Sequence, residues 1–80
     1  MQLYKVKDKG KYSVLKMDES ILSIRRLMDM GLLPGETIKI KHEALLGDPI
    51  SVEFRGTHVS IRLKDAAFIS VSRLKKSENK

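Results

Sequence analysis

The chain contains no cysteine, which removes disulfides and thiolate metal sites at the outset. That usage fits a reducing compartment. Histidine is nearly absent as well, with His42 and His58 alone. Aromatic residues stop at Tyr4, Tyr12, Phe54 and Phe68, and both phenylalanines sit in apolar patterns that read as core. Nucleic-acid modules stack bases on exposed aromatic rings, so no sequence-specific nucleic-acid partner is expected. The longest unbroken apolar run is Ala66-Ala67-Phe68-Ile69, far short of the ~20 residues of a membrane span. The segment Met1-Gln2-Leu3-Tyr4-Lys5 lacks a signal-peptide core. A cytoplasmic, soluble protein without membrane insertion is expected. No Walker A motif and no glycine-rich phosphate loop occur.

What is present begins with charge. Sixteen Lys and Arg against ten Asp and Glu give a formal +6. Lys5, Lys7, Lys9 and Lys11 alternate along the first segment, and Arg73, Lys75, Lys76 and Lys80 crowd the end. Such a surface suits an acidic partner, a phosphate backbone or an anionic membrane face. It also reads, more simply, as solvated lysines that keep the edges of a small sheet from pairing. Eighty residues make one domain with a small core. It is assigned to 1–74, with a polar basic tail over 75–80 and fraying from Ser72.

The densest information lies between Arg26 and Ile40. Ile21, Ile24, Leu27 and Met28 recur at helical spacing, which predicts a helix from about Glu19 to Met30, capped by Asp18 or Ser20. Gly31 stands where a helix end needs a left-handed residue. Pro34-Gly35 fits the centre of a type II turn. Strands are expected over Lys11–Met17, with Tyr12, Val14 and Leu15 as its bulk, and over Thr37–His42. Ile50, Val52 and Phe54 mark a third strand, Val59 and Ile61 a fourth, and Phe68–Val71 a fifth. Gly10 is read as a turn, Arg55-Gly56-Thr57 as a hairpin, and Lys64–Ala67 as one helical turn. Residues 1–9 carry no clear signal. This mostly β pattern with one short helix predicts a small SH3-like barrel of about five strands, closed or nearly so. An OB-type barrel is the rival.

Chemistry-bearing constellations are sparse. Ser60, His58 and Asp65 assemble a triad only on paper, since triads are defined by geometry and not by proximity in sequence. No catalytic residue is assigned. His42, Glu43 and Asp48 are the best metal candidates, with imidazole and carboxylate donors that suit transition metals. Adjacent strand residues such as His42 and Glu43 point to opposite faces, and Asp48 beside Pro49 can bond N–H groups of its own turn. No cofactor is therefore assigned, beyond weak transition-metal binding. Arg62 is expected to pair with Asp65 or to bond a loop carbonyl.

In order and spacing, these motifs resemble the FeoA family, small cytosolic accessory proteins of bacterial ferrous-iron transport. The resemblance rests on Leu27, Met28, Met30, Gly31, Leu32, Pro34 and Gly35, then Ile38 and Ile40. It continues through Ala44, Gly47, Asp48, Pro49 and Ile50, the hairpin Gly56, and Ile61, Arg62, Ala66, Ala67, Ile69 and Val71. Leu45 departs from it, standing where many members have proline. The resemblance implies an SH3-like barrel and a partner, the membrane ferrous-iron permease with its cytosolic G-protein domain. It implies no catalysis. The same fold ends iron- and manganese-responsive repressors; without a winged-helix segment in this sequence, such a repressor is not expected.

On this reading the docking residues are Leu32, Leu33, Pro34 and Gly35 together with Leu45, Leu46, Gly47 and Asp48. Glycine and proline fix both loops, so a partner meets a preformed surface. Leu32 is expected to close the barrel, and Leu33 and Leu45 to be exposed. The plainer alternative has all four leucines capping the barrel ends. Self-association through the same leucines stands beside permease docking. A transition-metal-binding or nucleic-acid-binding barrel is the alternative function.

Overall fold

The computed structural model describes residues 1–7, 9–43 and 47–74. A 3₁₀ turn at Leu3–Lys5 precedes β1 (Gly10–Met17), α1 (Leu22–Asp29), β2 (Thr37–Glu43), β3 (Ile50–Phe54), β4 (Thr57–Ile61), α2 (Leu63–Ala66) and β5 (Ile69–Arg73). The five strands form one antiparallel sheet in the order β4-β3-β2-β1-β5. This is the mostly β, SH3-like class that the alternation predicts. The sheet stays open between β4 and β5, because Arg62 to Phe68 turn through α2 between them.

Apolar side chains on alternate strand positions face one core. Val14, Ile38, Val52, Ile61, Ile69 and Val71 are buried there, with Ile24 of α1 and Leu32. Leu27 and Met28 complete the helix stripe and pack against it half-buried.

Several local expectations are corrected. The helix starts at Leu22, not Glu19, because Asp18 spends its carboxylate one turn earlier. Its Oδ1 accepts the Ser20 N–H at 3.0 Å and the Ser20 hydroxyl at 2.6 Å. Ile21 N–H donates to the Asp18 carbonyl, and the N-cap position, Ile21, has no side-chain cap. These two bonds hold the exposed Asp18 carboxyl below its ordinary range.

Gly10 opens β1 rather than turning the chain. Leu15 is exposed, because a bulge between Val14 and Lys16 interrupts the alternation. Phe68 is exposed and precedes β5 instead of joining the core. Ser72 and Arg73 belong to β5 and do not fray; Leu74 N–H then bonds the Lys11 carbonyl. The unassigned N-terminal segment is part of the fold: Leu3 is fully buried, and Met1 and Gln2 pair with Val71 and Ser70 of β5.

Candidate functional site

The corner between α1 and β2 is built almost wholly from neighbouring residues. Gly31, at φ 106°, lets the chain leave the helix. The Gly31 N–H donates to the Met28 carbonyl (2.9 Å), and the Leu32 N–H reaches back to Leu27 (3.1 Å). These are the two bonds of a Schellman motif, which satisfies carbonyls the helix would leave bare.

The motif turns Leu32 inward, where it is 0% exposed, while Leu33 next to it is 46% exposed. Pro34-Gly35 then makes the expected turn: Glu36 N–H bonds the Leu33 carbonyl at 3.0 Å, and Gly35 supplies φ 96°. Gly35 N–H and Glu36 C=O clamp the turn onto Val14 of β1, at 2.7 and 2.9 Å. Arg55 at the β3–β4 turn adds an ion pair to Glu36 at 3.0 Å. The outcome is a rigid corner carrying exposed Leu33. Met30, which ends the helix, and Leu15, next to the clamped Val14, are exposed beside it in the chain and in the bonding pattern.

Sequence reasoning missed Met30 and Leu15 as surface residues. Met30 lies outside the stripe of Ile21, Ile24, Leu27 and Met28 and reads only as the residue that closes the helix, and a bulge leaves no mark in the alternation of Tyr12 and Val14. The signal for Met30 was its place directly before Gly31, the last residue before the chain turns away.

Gly47 and Asp48 lie at the other end of β2. The seven residues of that strand, at ~3.3 Å each, separate the two groups by roughly 20 Å of chain. Leu32–Gly35 precede β2 in the chain and Gly47–Asp48 follow it, with Gly47 lining one cleft with Ile40 of that strand. Leu45 and Leu46 lie outside the described residues.

Asp48 bonds across the fold. Its Oδ1 accepts the N–H of Leu63, the first residue of α2, at 3.1 Å. A cleft of about 140 Å³ opens beside it, edged by Tyr4, Lys7, Gly47 and Leu63 over a floor that includes Ile40 and Ile50. Sites for drug-sized ligands run from ~300 Å³ upward.

The other candidates separate. His42 and Glu43 end β2, and their side chains lie outside the described residues. Among the described residues no three His, Asp or Glu side chains gather to hold a metal. Ser60, His58 and Asp65 do not form a triad. His58 Nε2 lies 3.9 Å from Glu53, which also pairs with Lys41, whereas Asp65 accepts the Ser23 hydroxyl at 2.8 Å and so ties α2 to α1. Asp65 is thus a strut between helices and not the expected partner of Arg62, which is exposed.

With this geometry in place, the family model described as FeoA domain matches residues 1–73. The fold is similar to the solution structure of a FeoA protein from Chlorobium tepidum, with 34% identity and a TM-score of 0.84 over 99% of this chain and 75% of that one. It is also similar to a FeoA-like protein from Clostridium acetobutylicum, at 32% identity and a TM-score of 0.83, covering 100% and 93% of the two chains. The manganese regulator SloR shares the fold at 14% identity and a TM-score of 0.81, over 92% of this chain and 34% of that one. No helix among the described residues is long and apolar enough to cross a membrane.

Proposed function

Since the chain belongs to the FeoA domain family, which implies a role in ferrous iron transport, we propose that it is a non-enzymatic accessory protein in the cytoplasm. It acts by docking onto the cytosolic part of a membrane ferrous-iron permease. The observation that supports this reading is the α1–β2 corner. Met30 and Leu33 are exposed, at 51% and 46%, on backbone that hydrogen bonds already hold in place. Grouped exposed apolar side chains mark interfaces, and a preformed corner loses little ordering entropy when a partner covers it. FeoA is an accessory, transport-related family, which favours docking over catalysis.

The test is affinity capture. The intact protein, added to detergent-solubilised native membranes, should retain the permease, and a deletion strain should take up less ferrous iron under anaerobic iron limitation. Normal uptake in that strain would count against the reading.

Iron in this scheme is the permease's cargo and not a ligand of the barrel. Anaerobic calorimetric titration with Fe(II) should give no one-to-one micromolar binding. Such binding, abolished by His42→Ala, would instead establish the metal-binding alternative.

A further inference from the structure

The sheet has two outer edges, and the chain treats them differently. Along β5, the Met1 amine donates to the Val71 carbonyl and the Met1 carbonyl accepts the Val71 N–H, both at 2.7 Å. Gln2 bridges Ser70 beside them. That edge is covered. β4 pairs with β3 alone, and among the described residues no other backbone bond reaches it.

The hairpin geometry identifies the open groups. β3 and β4 are joined by the two-residue turn Arg55-Gly56, with φ of 50° and 77°. The flanking pair Phe54 and Thr57 is then of the hydrogen-bonded kind, and alternation makes Val52–Val59 and Ile50–Ile61 the same. His58 and Ser60 must therefore turn their N–H and C=O groups away from β3. Both residues are exposed.

Sheet edges are ordinarily guarded by lysine, proline or a bulge. The strand Thr57-His58-Val59-Ser60-Ile61 has no Lys, Arg, Asp, Glu or Pro, and it pairs with β3 without a register shift. In a chain of net charge +6, a second copy meets no like formal charge along this strand. The other edge strand ends in Arg73.

We propose that β4 is a self-association edge that pairs antiparallel with β4 of a second copy, about a two-fold axis at Val59. His58 then faces Ser60 of the second copy and Ser60 faces its His58, each pair exchanging two N–H···O=C bonds. Val59 meets its own equivalent in the non-hydrogen-bonded position, where side chains approach closest. A slip of one residue brings outward groups opposite inward ones and so breaks the ladder. The contact is isologous and closes at two copies. An uncharged strand offers an acidic or basic partner nothing to select it by, whereas its own antiparallel copy matches it group for group. This edge is separate from the α1–β2 corner, so neither proposal rests on the other.

The test uses the full chain in sedimentation velocity and amide hydrogen exchange, from micromolar to millimolar concentration. Association by mass action should appear in the upper range, with exchange at His58 and Ser60 slowed by about tenfold or more and reversed on dilution. Ser60→Pro deletes an outward N–H that is absent from the β3 ladder, a position at which edge strands tolerate proline, and should abolish association. The double variant His58→Lys with Ser60→Lys keeps every β3 bond, places charge on the edge, and should do the same; it decides the matter if the proline variant does not fold. A monomer at millimolar concentration would overturn the proposal. So would association that persists undiminished in the folded double variant, or protection that appears at Leu33 instead of β4.

Discussion

The two ends of β2 are held by different kinds of bond. At its start, the corner from Leu27 to Glu36 is fixed by contacts between residues five or fewer positions apart: Leu32 to Leu27, Gly31 to Met28, Glu36 to Leu33. Clamps from Val14 and Arg55 are added on top of these. Past its other end, Asp48 is tied by one side-chain bond to Leu63, fifteen residues away. The first corner is made mainly of bonds within one short stretch of chain. The second depends on α2, distant in the sequence. A surface meant to meet a partner without reordering belongs on the first.

This contrast can be broken by mutation. The largest effect is expected at Leu32, whose side chain is fully buried beneath the corner. Leu32→Ala should lower stability by about 2–5 kcal/mol, comparable to the whole ~3–5 kcal/mol margin of so small a core. Thermal unfolding should show a lost or strongly depressed transition.

Gly31→Ala comes next. A Cβ there meets only ordinary contact, 3.7 Å from Phe54, but φ of 106° strains any L-residue. A left-handed conformation costs such a residue about 1–2 kcal/mol, and each kcal/mol moves the midpoint of a small domain by roughly 4–8 °C.

Asp48→Ala should lower stability by about 0.5–1.5 kcal/mol through the lost bond to Leu63, while Asp48→Asn, which keeps an acceptor, should lose less. Amide exchange at Leu63 should quicken in the alanine variant, with the α1–β2 corner unaffected. Equal quickening at Leu32 would show that the two ends are coupled, contrary to the account.

The smallest effect is at Asp18. Its carboxyl titrates below the ordinary range because Ser20 bonds the charged form. A depressed folded value means that the contribution is present above the unfolded carboxylate range and lost as pH falls through the folded one. Carboxyl NMR titration should place Asp18 below the ordinary aspartate range, and Ser20→Ala should bring it back.

The same contrast explains how much of the molecule the sequence discloses. β2, β3 and β4 follow from the alternation of their own side chains, and the Gly31 and Pro34-Gly35 turns follow from residue type and bonds between near neighbours. Even the opposite fates of Leu32 and Leu33 are local, since the Schellman motif folds the residue after its glycine back onto the helix. What stays hidden depends on distant partners or on register. Leu3 is core because Met1 and Gln2 find β5, some seventy residues on. Leu15 is surface because β1 bulges against β5. Asp48 and Asp65 bond Leu63 and Ser23, and neither pair leaves a mark in the spacing. For the candidate docking site, the residues of the α1–β2 corner were therefore readable. That Gly47 and Asp48 sit at the opposite end of β2 was readable as well, from the strand between them, once its length is counted.

Docking is proposed to place the permease on the exposed leucine of the α1–β2 corner. Leu33→Ser tests it most directly, because a half-exposed position should change stability by no more than about 0.5 kcal/mol. Capture of the permease from solubilised membranes should fall sharply with Leu33→Ser while the variant keeps the wild-type unfolding midpoint. Undiminished capture by the folded variant would contradict the account.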